Sequence, residues 1–558
     1  MPSWELEKLM AGVSHQDELG QLLREIKERS GRSYEWIGKR INASKSTVHR
    51  YCSGQSIPPN FATVELIATA CRADRDELVR LHRLWIEAIA TAAPEKAGDS
   101  PPDTGSAPDT PREPAHSGST PSRGSRHAVV LMSVGLLISC LLVLTASSSP
   151  LTSTASRGQV QRITGPSWVL PPAPVPRTLF GVTVNSATGA MPSFKVGAVR
   201  LWDSATRWSQ IERRRGELDW STLDRQVAGA RRAGLPVLFV FGGTPAWASP
   251  NGSRAPYPEG ARAAPPDDLA DWDAFVSATG DRYAGRIEAY ELWALGNDHR
   301  FYTGDVETLV EMTRRASRII KAADPQATVV CPGMGRLWTH AGRDAMRRFA
   351  ELGGYAHCDV AGIKLYQRTA SDPPETMLEL ATTVNRVLHG AGVHPPVWST
   401  GTSYTITLQD PLDAVTARDY AVRYFLAGLY LRDLNLERMY FYNWGGAKIP
   451  LVLQVEGGAP TAAALAVERL QHWLAPARSR SCGQGGAIGL PHNVWRCEFT
   501  ISGDRESHLA AIIWTSTGTA RITSRGEGEA HRLDGTSRRV RPGDAIAVGE
   551  DPLFVEYG

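Results

Sequence analysis

Residues 235–242 read LPVLFVFG, a short apolar run with Pro near one end and Gly at the other. Its length and its β-branched and aromatic residues are typical of a strand that is buried on both faces, as in a parallel sheet. Further runs of this kind occur along the chain, at 178–185, 196–202, 287–293, 327–333, 359–366, 395–401 and 438–444. Their recurrence predicts that they are neighbouring strands of one parallel sheet.

Helical stretches separate these runs, among them 221–233, 267–283 and 306–323. Eight strand–helix units between residues 177 and 475 predict a (β/α)8 TIM barrel. The alternative is an open doubly wound sheet, but no Gly-rich phosphate loop follows the first strand. Residues 476–558 contain short strand-like runs with turn signals between them and predict a β-sandwich.

Residues 1–95 predict an all-α bundle of short amphipathic helices, such as 17–29. The segment 33–54, SYEWIGKRINASKSTVHRYCSG, resembles the helix-turn-helix of the Cro and lambda-repressor type. In that family the second helix enters the major groove of DNA. The resemblance implies that DNA is a partner and that exposed residues of this helix contact it: Lys45, Ser46, Thr47, His49 and Arg50.

The charge of the N-terminal domain indicates only a local basic face. Residues 1–95 hold 13 Lys and Arg against 13 Asp and Glu, so the domain is neutral. Between Arg32 and Arg50 there are five cations and one anion, Glu35, and contact with phosphates needs such a face. A bundle that binds a protein instead of DNA is the alternative. The formal charge of the chain, +3, does not indicate a nucleic-acid coat.

Residues 128–146, AVVLMSVGLLISCLLVLTA, carry no charge and predict one transmembrane helix, because 19 helical residues span roughly the hydrocarbon core of a bilayer. The flanking segments 96–127 and 147–176 predict a disordered Pro/Ser/Gly-rich linker and an extracytoplasmic linker. Arginines precede the apolar run, and the positive-inside rule then places the N-terminus in the cytoplasm. The sequence thus predicts a multidomain, single-pass protein of the cell membrane, with its C-terminal domains extracytoplasmic.

Three segments resemble glycoside hydrolases of clan A, nearest to family 39: VRLWDSATRWSQIERRRGELDWSTLD at 199–224, VLFVFGGTPAWAS at 237–249 and AYELWALGND at 289–298. The resemblance covers residues 177–475 and implies a barrel that binds carbohydrate at the C-terminal ends of its strands. Retaining enzymes of this kind need two carboxylates about 5 Å apart. The resemblance implies one Glu at the end of strand four and a second at the end of strand seven.

The sequence departs from this pattern at both positions. It has Leu295 where the acid/base Glu is expected and Gly401 where the nucleophile is expected. We therefore predict no catalytic residue, and no metal or cofactor. Glu291 and Asp298 are the nearby carboxylates that remain as possible substitutes.

The cleft is still expected to bind carbohydrate, because aromatic faces stack on sugar rings and polar groups bond their hydroxyls. The candidates stand at predicted C-terminal strand ends: Arg200, Trp202, Asp203, Trp247, Trp293, Lys364, Tyr366, Trp398, Tyr404 and Trp444. For any single tryptophan, packing in the core is the alternative.

None of the seven cysteines belongs to a C-x-x-C pair, so no zinc-ribbon signal is present. Cys482 and Cys497 flank a predicted loop between strands, and we expect a disulfide between them. The other cysteines considered are expected to stay unbridged: Cys331 and Cys358, at opposite ends of the barrel, and Cys52 and Cys71 in the N-terminal domain.

These patterns leave three functions open. The favoured one is a membrane-anchored helix-turn-helix transcriptional regulator with an extracytoplasmic, non-catalytic, glycosidase-like barrel that binds carbohydrate. The second is a membrane-anchored glycoside hydrolase with an atypical active site. The third is a scaffold that links a cytosolic protein to polysaccharide of the cell envelope.

Overall fold

The computed structural model of the protein describes residues 15–41, 44–58, 61–92, 167–402, 406–447, 449–502 and 507–558. Contacts divide the chain into two compact units, residues 1–158 and 159–558. Each unit is described by itself.

Five helices form the described part of the first unit: α1 (His15–Arg29), α2 (Tyr34–Ile41), α3 (Lys45–Cys52), α4 (Phe61–Ala70) and α5 (Arg75–Ala92). Their apolar faces meet in one core, in which Leu23, Ile37, Val48 and Ile67 are fully buried. The second helix of the motif begins directly after Ser44, whose Oγ accepts a hydrogen bond from the Thr47 amide at 3.1 Å. The predicted helix-turn-helix is confirmed as α2 and α3.

The second unit begins with strand β1 (Ser167–Pro174), and a barrel follows it. The barrel strands are β2 (Phe180–Val184), β3 (Ala198–Leu201), β6 (Val237–Val240), β7 (Ala289–Glu291), β8 (Thr328–Val330), β9 (Ala361–Ile363), β10 (Val397–Ser399) and β11 (Leu436–Trp444). They pair in parallel around the barrel in chain order, and bridges from Val330 to Val360 and from Met334 to Ile363 close it. The predicted (β/α)8 barrel is confirmed, and each strand overlaps its predicted run.

Helices alternate with the barrel strands: α6 (Trp208–Ile211), α7 (Ser221–Arg232), α8 (Leu269–Tyr283), α9 (Val306–Ala323), α10 (His340–Glu351), α11 (Met377–Gly390), α12 (Ala414–Tyr430) and α13 (Ala462–Leu474). A short hairpin of β4 (Glu212–Arg214) and β5 (Glu217–Leu218) precedes α7.

Side chains fill the interior of the barrel in layers. One layer is apolar and contains Ala198, Leu238, Ala289, Val330, Val360, Trp398 and Tyr440. Because side chains alternate along a strand, Arg200 and Glu291 point inward like Ala198 and Ala289, two positions before them. The layer nearer the C-terminal strand ends is therefore charged.

The last part of the second unit is all β: β12 (Ala477–Gln484), β13 (Val494–Ile501), β14 (His508–Thr515), β15 (Ala520–Thr523), β16 (Gly528–His531), β17 (Ser537–Val540), β18 (Ala545–Val548) and β19 (Leu553–Tyr557). A seven-stranded sheet has the order β1-β12-β13-β14-β19-β16-β17, and β15 pairs with β18. Ile513 and Val555 of the large sheet share a core with Ile546 and Val548 of β18. The region is thus two β layers with a core between them, as the predicted sandwich requires.

The predicted linker 147–176 is corrected at its C-terminal end. Residues 167–174 form β1, which pairs antiparallel with β12, and Trp168 donates through Nε1 to the Tyr430 carbonyl at 2.7 Å. The strand contains three prolines, which argue against a strand in a sequence pattern. They are tolerated here because β1 lies at the edge of the sheet.

A buried ion pair joins the barrel to the large sheet. Arg423 of α12 donates to both oxygens of Glu375, at 2.9 and 2.6 Å, and also to Glu550 at 3.1 Å. Trp514 of β14 donates to Glu375 Oε1 at 2.7 Å. The Arg423 side chain is fully buried, so these contacts fix the position of the sheet against the barrel.

The structure contains a disulfide between Cys482 and Cys497, which are direct neighbours on β12 and β13. In the first unit, Cys52 and Cys71 are free and buried, and burial raises the pKa of Cys52 to about 12.

The expectation that Cys331 and Cys358 stay unbridged is wrong, because the structure joins them with a Cα–Cα distance of 5.4 Å. Cys331 follows β8 directly, and Val360 pairs with Val330. Cys358 thus lies two positions before Val360, on the N-terminal side of β9. The barrel strands here are only three residues long, so the two ends of the barrel are closer than expected.

The membrane prediction is corrected as well. No helix among the described residues is long and apolar enough to cross a membrane; α9 has 18 residues, for example, but carries Glu307, Glu311 and Arg314. Residues 96–127 and 128–146 lie outside the described residues. The finding contradicts the predicted single-pass architecture with its cytoplasmic and extracytoplasmic sides.

We expect Arg423→Ala to lower the free energy of unfolding of the second unit by roughly 3 kcal/mol, because it leaves the Glu375 carboxylate buried without its cation. Arg314→Ala is the control, since Arg314 pairs with Glu311 at the surface, and it should leave the free energy of unfolding almost unchanged. Urea unfolding followed by tryptophan fluorescence measures both. Equal effects of the two changes would contradict the role given to Arg423.

Candidate functional site

A cavity of about 220 Å³ lies at the C-terminal ends of the barrel strands. Ligands bind at this end in barrels of this architecture. The lining residues come from β3, β11 and the loops that follow β3, β6, β7, β9 and β10: Arg200, Trp202, Asp203, Pro256, Tyr257, Ala294, Leu295, Phe301, Lys364, Thr400, Gly401, Thr402, Thr407 and Tyr442.

The floor of the cavity is a buried ion network around Glu291. Arg200 Nε donates to Glu291 Oε2 at 2.6 Å, and Lys364 Nζ donates to Oε1 at 2.8 Å. Thr400 Oγ1 donates to the same Oε1 at 2.9 Å, and the Thr400 carbonyl accepts from Lys364 at 2.8 Å. The side chains of Arg200, Glu291 and Lys364 are at most 3% exposed. Both oxygens of the carboxylate are therefore engaged.

This network makes Glu291 unsuitable as a catalytic acid. Its two oxygens accept hydrogen bonds from Arg200, Lys364 and Thr400 and the residue does not line the cavity, so neither oxygen is placed to protonate a ligand. Burial and Arg200 lower the pKa of Lys364 to about 7, while Glu291 acts to raise it, so the buried lysine depends on the carboxylate. Gly333 provides the space, since a Cβ there would lie 2.2 Å from Glu291 Oε1.

Asp298, the other candidate substitute, does not line the cavity. Its side chain is 2% exposed, and Arg300 lies 2.5 Å from Oδ2. Burial acts to raise the pKa of Asp298, but the hydrogen bond and charge of Arg300 lower it overall. Asp298 is thus a paired carboxylate beside the site and no proton donor within it.

Leu295 and Gly401, which occupy the positions expected for the two glutamates, both line the cavity. Gly401 has a φ of 119°, a conformation that side-chain-bearing residues rarely adopt. A Cβ there would meet nothing within 4 Å. There is room for a side chain at this position, but the backbone disfavours one. Leu295 supplies only methyl groups.

Asp203 is the carboxylate that lines the cavity among the described residues. The Tyr442 hydroxyl donates to Asp203 Oδ2 at 2.8 Å, and Arg207 Nη1 lies 3.5 Å from Oδ1. Burial and the Asp203 carboxylate raise the pKa of Tyr442 well above its usual range, so Tyr442 keeps its proton and is a poor nucleophile. The wall offers hydrogen bonding without a pair of reactive carboxylates.

Of the ten residues predicted to bind carbohydrate, four line the cavity: Arg200, Trp202, Asp203 and Lys364. Tyr404 lies outside the described residues. The other five do not line this cavity: Trp247, Trp293, Tyr366, Trp398 and Trp444.

Tryptophans that do not line the cavity are held in place by other contacts within the barrel. Trp293 donates to the Phe301 carbonyl at 3.0 Å, and Trp444 donates to Gln454 at 2.8 Å. Trp398 points inward but belongs to the apolar layer below the charged one. Standing near a strand end is thus not sufficient to reach the cavity.

The sequence prediction missed three aromatic residues of the cavity wall. Tyr257 and Phe301 come from long loops after β6 and β7, which have no periodic signal. Tyr442 could have been found, because it stands two positions after Tyr440 on one strand and both must face the same side.

In the first unit, α3 presents an exposed face. Lys45, Ser46, His49 and Arg50 are exposed and Thr47 is partly exposed. This is the face that the helix-turn-helix resemblance assigns to DNA.

Local contacts divide this face into two kinds of residue. The hydroxyls of Ser46 and Thr47 lie 2.8 and 2.7 Å from Ser44 Oγ and belong to the helix cap. The His49 ring contacts Tyr34 edge-on, with ring centroids 5.1 Å apart. Lys45 and Arg50 are the long exposed cations of the face.

Contacts with α1 hold α3 in place. A Cβ at Gly20 would lie 2.4 Å from the Gly54 nitrogen, so only glycine permits this approach. Arg24 Nε donates to the Cys52 carbonyl at 3.1 Å, and Gln16 Nε2 donates to the Gly54 carbonyl at 2.6 Å. The C-terminal end of α3 is therefore fixed on the bundle.

Residues 18–81 match the family model of a helix-turn-helix domain. The match includes α2 and α3 and most of the bundle around them. No curated protein sequence matches the chain.

Solved structures similar to this chain include glycoside hydrolases. A family 39 glycoside hydrolase from Bacteroides cellulosilyticus WH2 is 16% identical, with a TM-score of 0.49 over 65% of this chain and 76% of that one. A glucosidase from Croceicoccus marinus is 16% identical, with a TM-score of 0.47 over 69% and 96%. A monomeric β-xylosidase from Caulobacter crescentus CB15 is 13% identical, with a TM-score of 0.49 over 70% and 97%. The barrel assignment rests on the strand order of this chain itself.

We expect Glu291→Gln to lower the free energy of unfolding by roughly 3 kcal/mol, because Arg200 and Lys364 lose their buried counter-charge. Glu217→Gln is the control; its side chain is 65% exposed beside Arg214. Urea unfolding of both variants measures the difference. A Glu291→Gln protein as stable as the wild type would show that the network does not support the cavity floor.

Proposed function

We propose that this protein is a DNA-binding regulator that carries a carbohydrate-binding barrel, and that the barrel binds its ligand without hydrolysing it. The DNA part rests on the helix-turn-helix domain and on the exposed cations of α3. The carbohydrate part rests on the cavity at the C-terminal ends of the barrel strands.

The single observation that carries the carbohydrate proposal is the composition of the cavity wall. Trp202 and Phe301 offer apolar aromatic surface, Asp203 offers an acceptor, and Thr402 and Tyr442 add hydroxyls. A sugar ring has apolar faces and hydroxyls at its edge, so it needs both kinds of surface. The wall meets this need within one cavity.

Binding without hydrolysis is supported by the state of the nearby carboxylates. Two free carboxylates must flank a glycosidic bond in the usual mechanism. Glu291 is paired with Arg200 and Lys364, and Asp298 is paired with Arg300. Asp203 is the one carboxylate among the described residues that line the cavity. The alternative, a hydrolase with an atypical site, has no second carboxylate among these lining residues.

We expect the full-length chain to bind immobilised glycans on an array and to show no turnover of aryl β-glycosides above background. Trp202→Ala should weaken glycan binding roughly tenfold, because it removes an aromatic wall. Trp220→Ala is the control, since Trp220 stacks on Phe275 outside the cavity. Turnover by the wild-type protein would favour the hydrolase instead.

We expect the full-length chain to bind duplex DNA in a salt-dependent way. Lys45→Ala and Arg50→Ala should each weaken binding and reduce the slope of affinity against salt by about one, if each contacts a phosphate. Arg83→Ala, which removes an exposed cation of α5, is the control. Fluorescence anisotropy over a range of salt concentrations measures these effects. A chain that binds no duplex at low salt would contradict the DNA-binding proposal and favour the scaffold alternative.

A further inference from the structure

Arg200 places a guanidinium group in the cavity that the protein satisfies only in part. Its side chain is 3% exposed, and its Nε donates to Glu291 Oε2 at 2.6 Å. The two terminal nitrogens, Nη1 and Nη2, donate to none of the described residues. Largely buried donors without acceptors are few in native proteins, and each one calls for a physical explanation.

The two terminal nitrogens are open to the cavity, which Arg200 lines. Nitrogens that are enclosed by protein and have no hydrogen-bond partner occur elsewhere in the second unit, such as Arg262 Nε, but Nη1 and Nη2 of Arg200 are not enclosed in this way. Because they have no partner and are not enclosed, they keep accessible surface. A ligand in the cavity can therefore reach them.

The guanidinium is held in position by the floor of the cavity. Glu291, which accepts from its Nε, also accepts from Lys364 at 2.8 Å and from Thr400 at 2.9 Å. A guanidinium is planar, so a bond that holds Nε also restricts where Nη1 and Nη2 can lie. The two donors are thus placed before a ligand arrives, which lowers the entropic cost of binding.

Asp203 adds an acceptor to the same cavity. Its Oδ2 accepts from the Tyr442 hydroxyl at 2.8 Å, whereas its Oδ1 has only a long contact of 3.5 Å with Arg207 Nη1. The side chain is 21% exposed, and a carboxylate oxygen can accept more than one hydrogen bond. Burial raises the pKa of Tyr442, the Asp203 charge raises it further and the Arg200 charge lowers it. The acceptor and the two donors therefore lie near one another, around Tyr442.

The charges around the cavity favour a neutral ligand. The cations are Arg200 and Lys364, and the anions are Glu291 and Asp203. Since the two cations balance the two anions, a ligand carboxylate on the guanidinium would add an uncompensated negative charge beside Asp203, which is unfavourable in a buried site. Two hydroxyl groups add no charge. Their oxygens can accept from the guanidinium, and a hydroxyl proton can be donated to Asp203.

We propose that Arg200 determines specificity in the cavity by donating from Nη1 and Nη2 to two adjacent hydroxyls of a neutral sugar, one of which donates to Asp203. The proposal rests on the carbohydrate-binding function proposed above. An aromatic wall alone accepts many sugar rings. The guanidinium adds a requirement for free hydroxyls on neighbouring carbon atoms, because a site built to bond a hydroxyl rejects an analogue that lacks it.

Calorimetric titration of the full-length protein tests the proposal. The wild type is titrated with D-glucose, D-galactose and D-mannose, with the uronate of each, and with the monodeoxy derivatives of the best-bound hexose. Arg200→Lys is titrated with the same sugars; it keeps a cation beside Glu291 but offers one nitrogen in place of three. Arg438→Lys is the matched control, because Arg438 is 12% exposed, donates to both oxygens of Glu288 and does not line the cavity. Thermal unfolding without sugar is measured in parallel.

We expect the loss of either of two adjacent hydroxyls to weaken wild-type binding about tenfold, because a hydrogen bond to a charged group is lost. Arg200→Lys should weaken the best-bound hexose by a similar factor and should bind that hexose and those two deoxy sugars alike. Arg438→Lys should bind sugars as the wild type does, although both variants should unfold below the wild-type midpoint. Each uronate should bind more weakly than its hexose.

Four results would overturn the role of Arg200: deoxy sugars that all bind as well as the parent hexose, unchanged affinity in Arg200→Lys, an equal loss in Arg438→Lys, or a uronate that binds more tightly than its hexose. If Arg200→Lys does not fold, the wild-type titrations with deoxy sugars and uronates decide. A wild type that binds array glycans but none of these hexoses would overturn this inference alone. A wild type that binds neither would overturn the proposed function, and this inference with it.

Discussion

Eight short parallel strands that close on themselves enclose a space that side chains must fill. In this chain one layer of that space is apolar, and the layer above it contains Arg200, Glu291 and Lys364. A single buried charge would be very unfavourable there, and each of these side chains is tolerable only because the others are present. The network thus couples β3, β7 and the loops after β9 and β10, and it fixes the floor on which the cavity stands.

The same network limits the chemistry of the cavity. Thr400 is held through both its hydroxyl and its carbonyl, and the chain leaves it through Gly401 in a conformation that favours glycine. Elsewhere in the cavity wall, Leu295 contributes methyl groups, and Asp298, three residues further along the chain, is paired with Arg300. The charged groups near the floor form hydrogen bonds and ion pairs with one another. The rest of the cavity wall offers mainly aromatic surface and hydroxyls.

Sequence patterns identified the barrel because a fully buried parallel strand is a short apolar run, and such runs recur here in every unit. They also found α2 and α3, whose capping and apolar spacing are local properties. The patterns failed where the position of a side chain depends on tertiary structure. Trp398 and Trp202 look alike along the chain, but they lie in different layers of the barrel. Tyr257 and Phe301 come from loops, and no local pattern brings a loop residue to a cavity. The strand β1 was missed because its pairing with β12 joins residues about three hundred positions apart.

The C-terminal sheet also supports the cavity through contacts with the barrel. Trp514 and Glu550 of the sheet region meet Arg423 and Glu375 of the barrel. The next residue of α12, Tyr424, donates through its hydroxyl to the Tyr440 carbonyl on β11 at 3.3 Å. Tyr442, two positions further along that strand, donates to Asp203 in the cavity wall. Side chains that meet a ligand need a second layer of fixed contacts to hold their geometry, and here that layer continues from the barrel into the sheet. A barrel cut off at residue 475 would therefore keep its strands but lose part of what positions Asp203 and Tyr442.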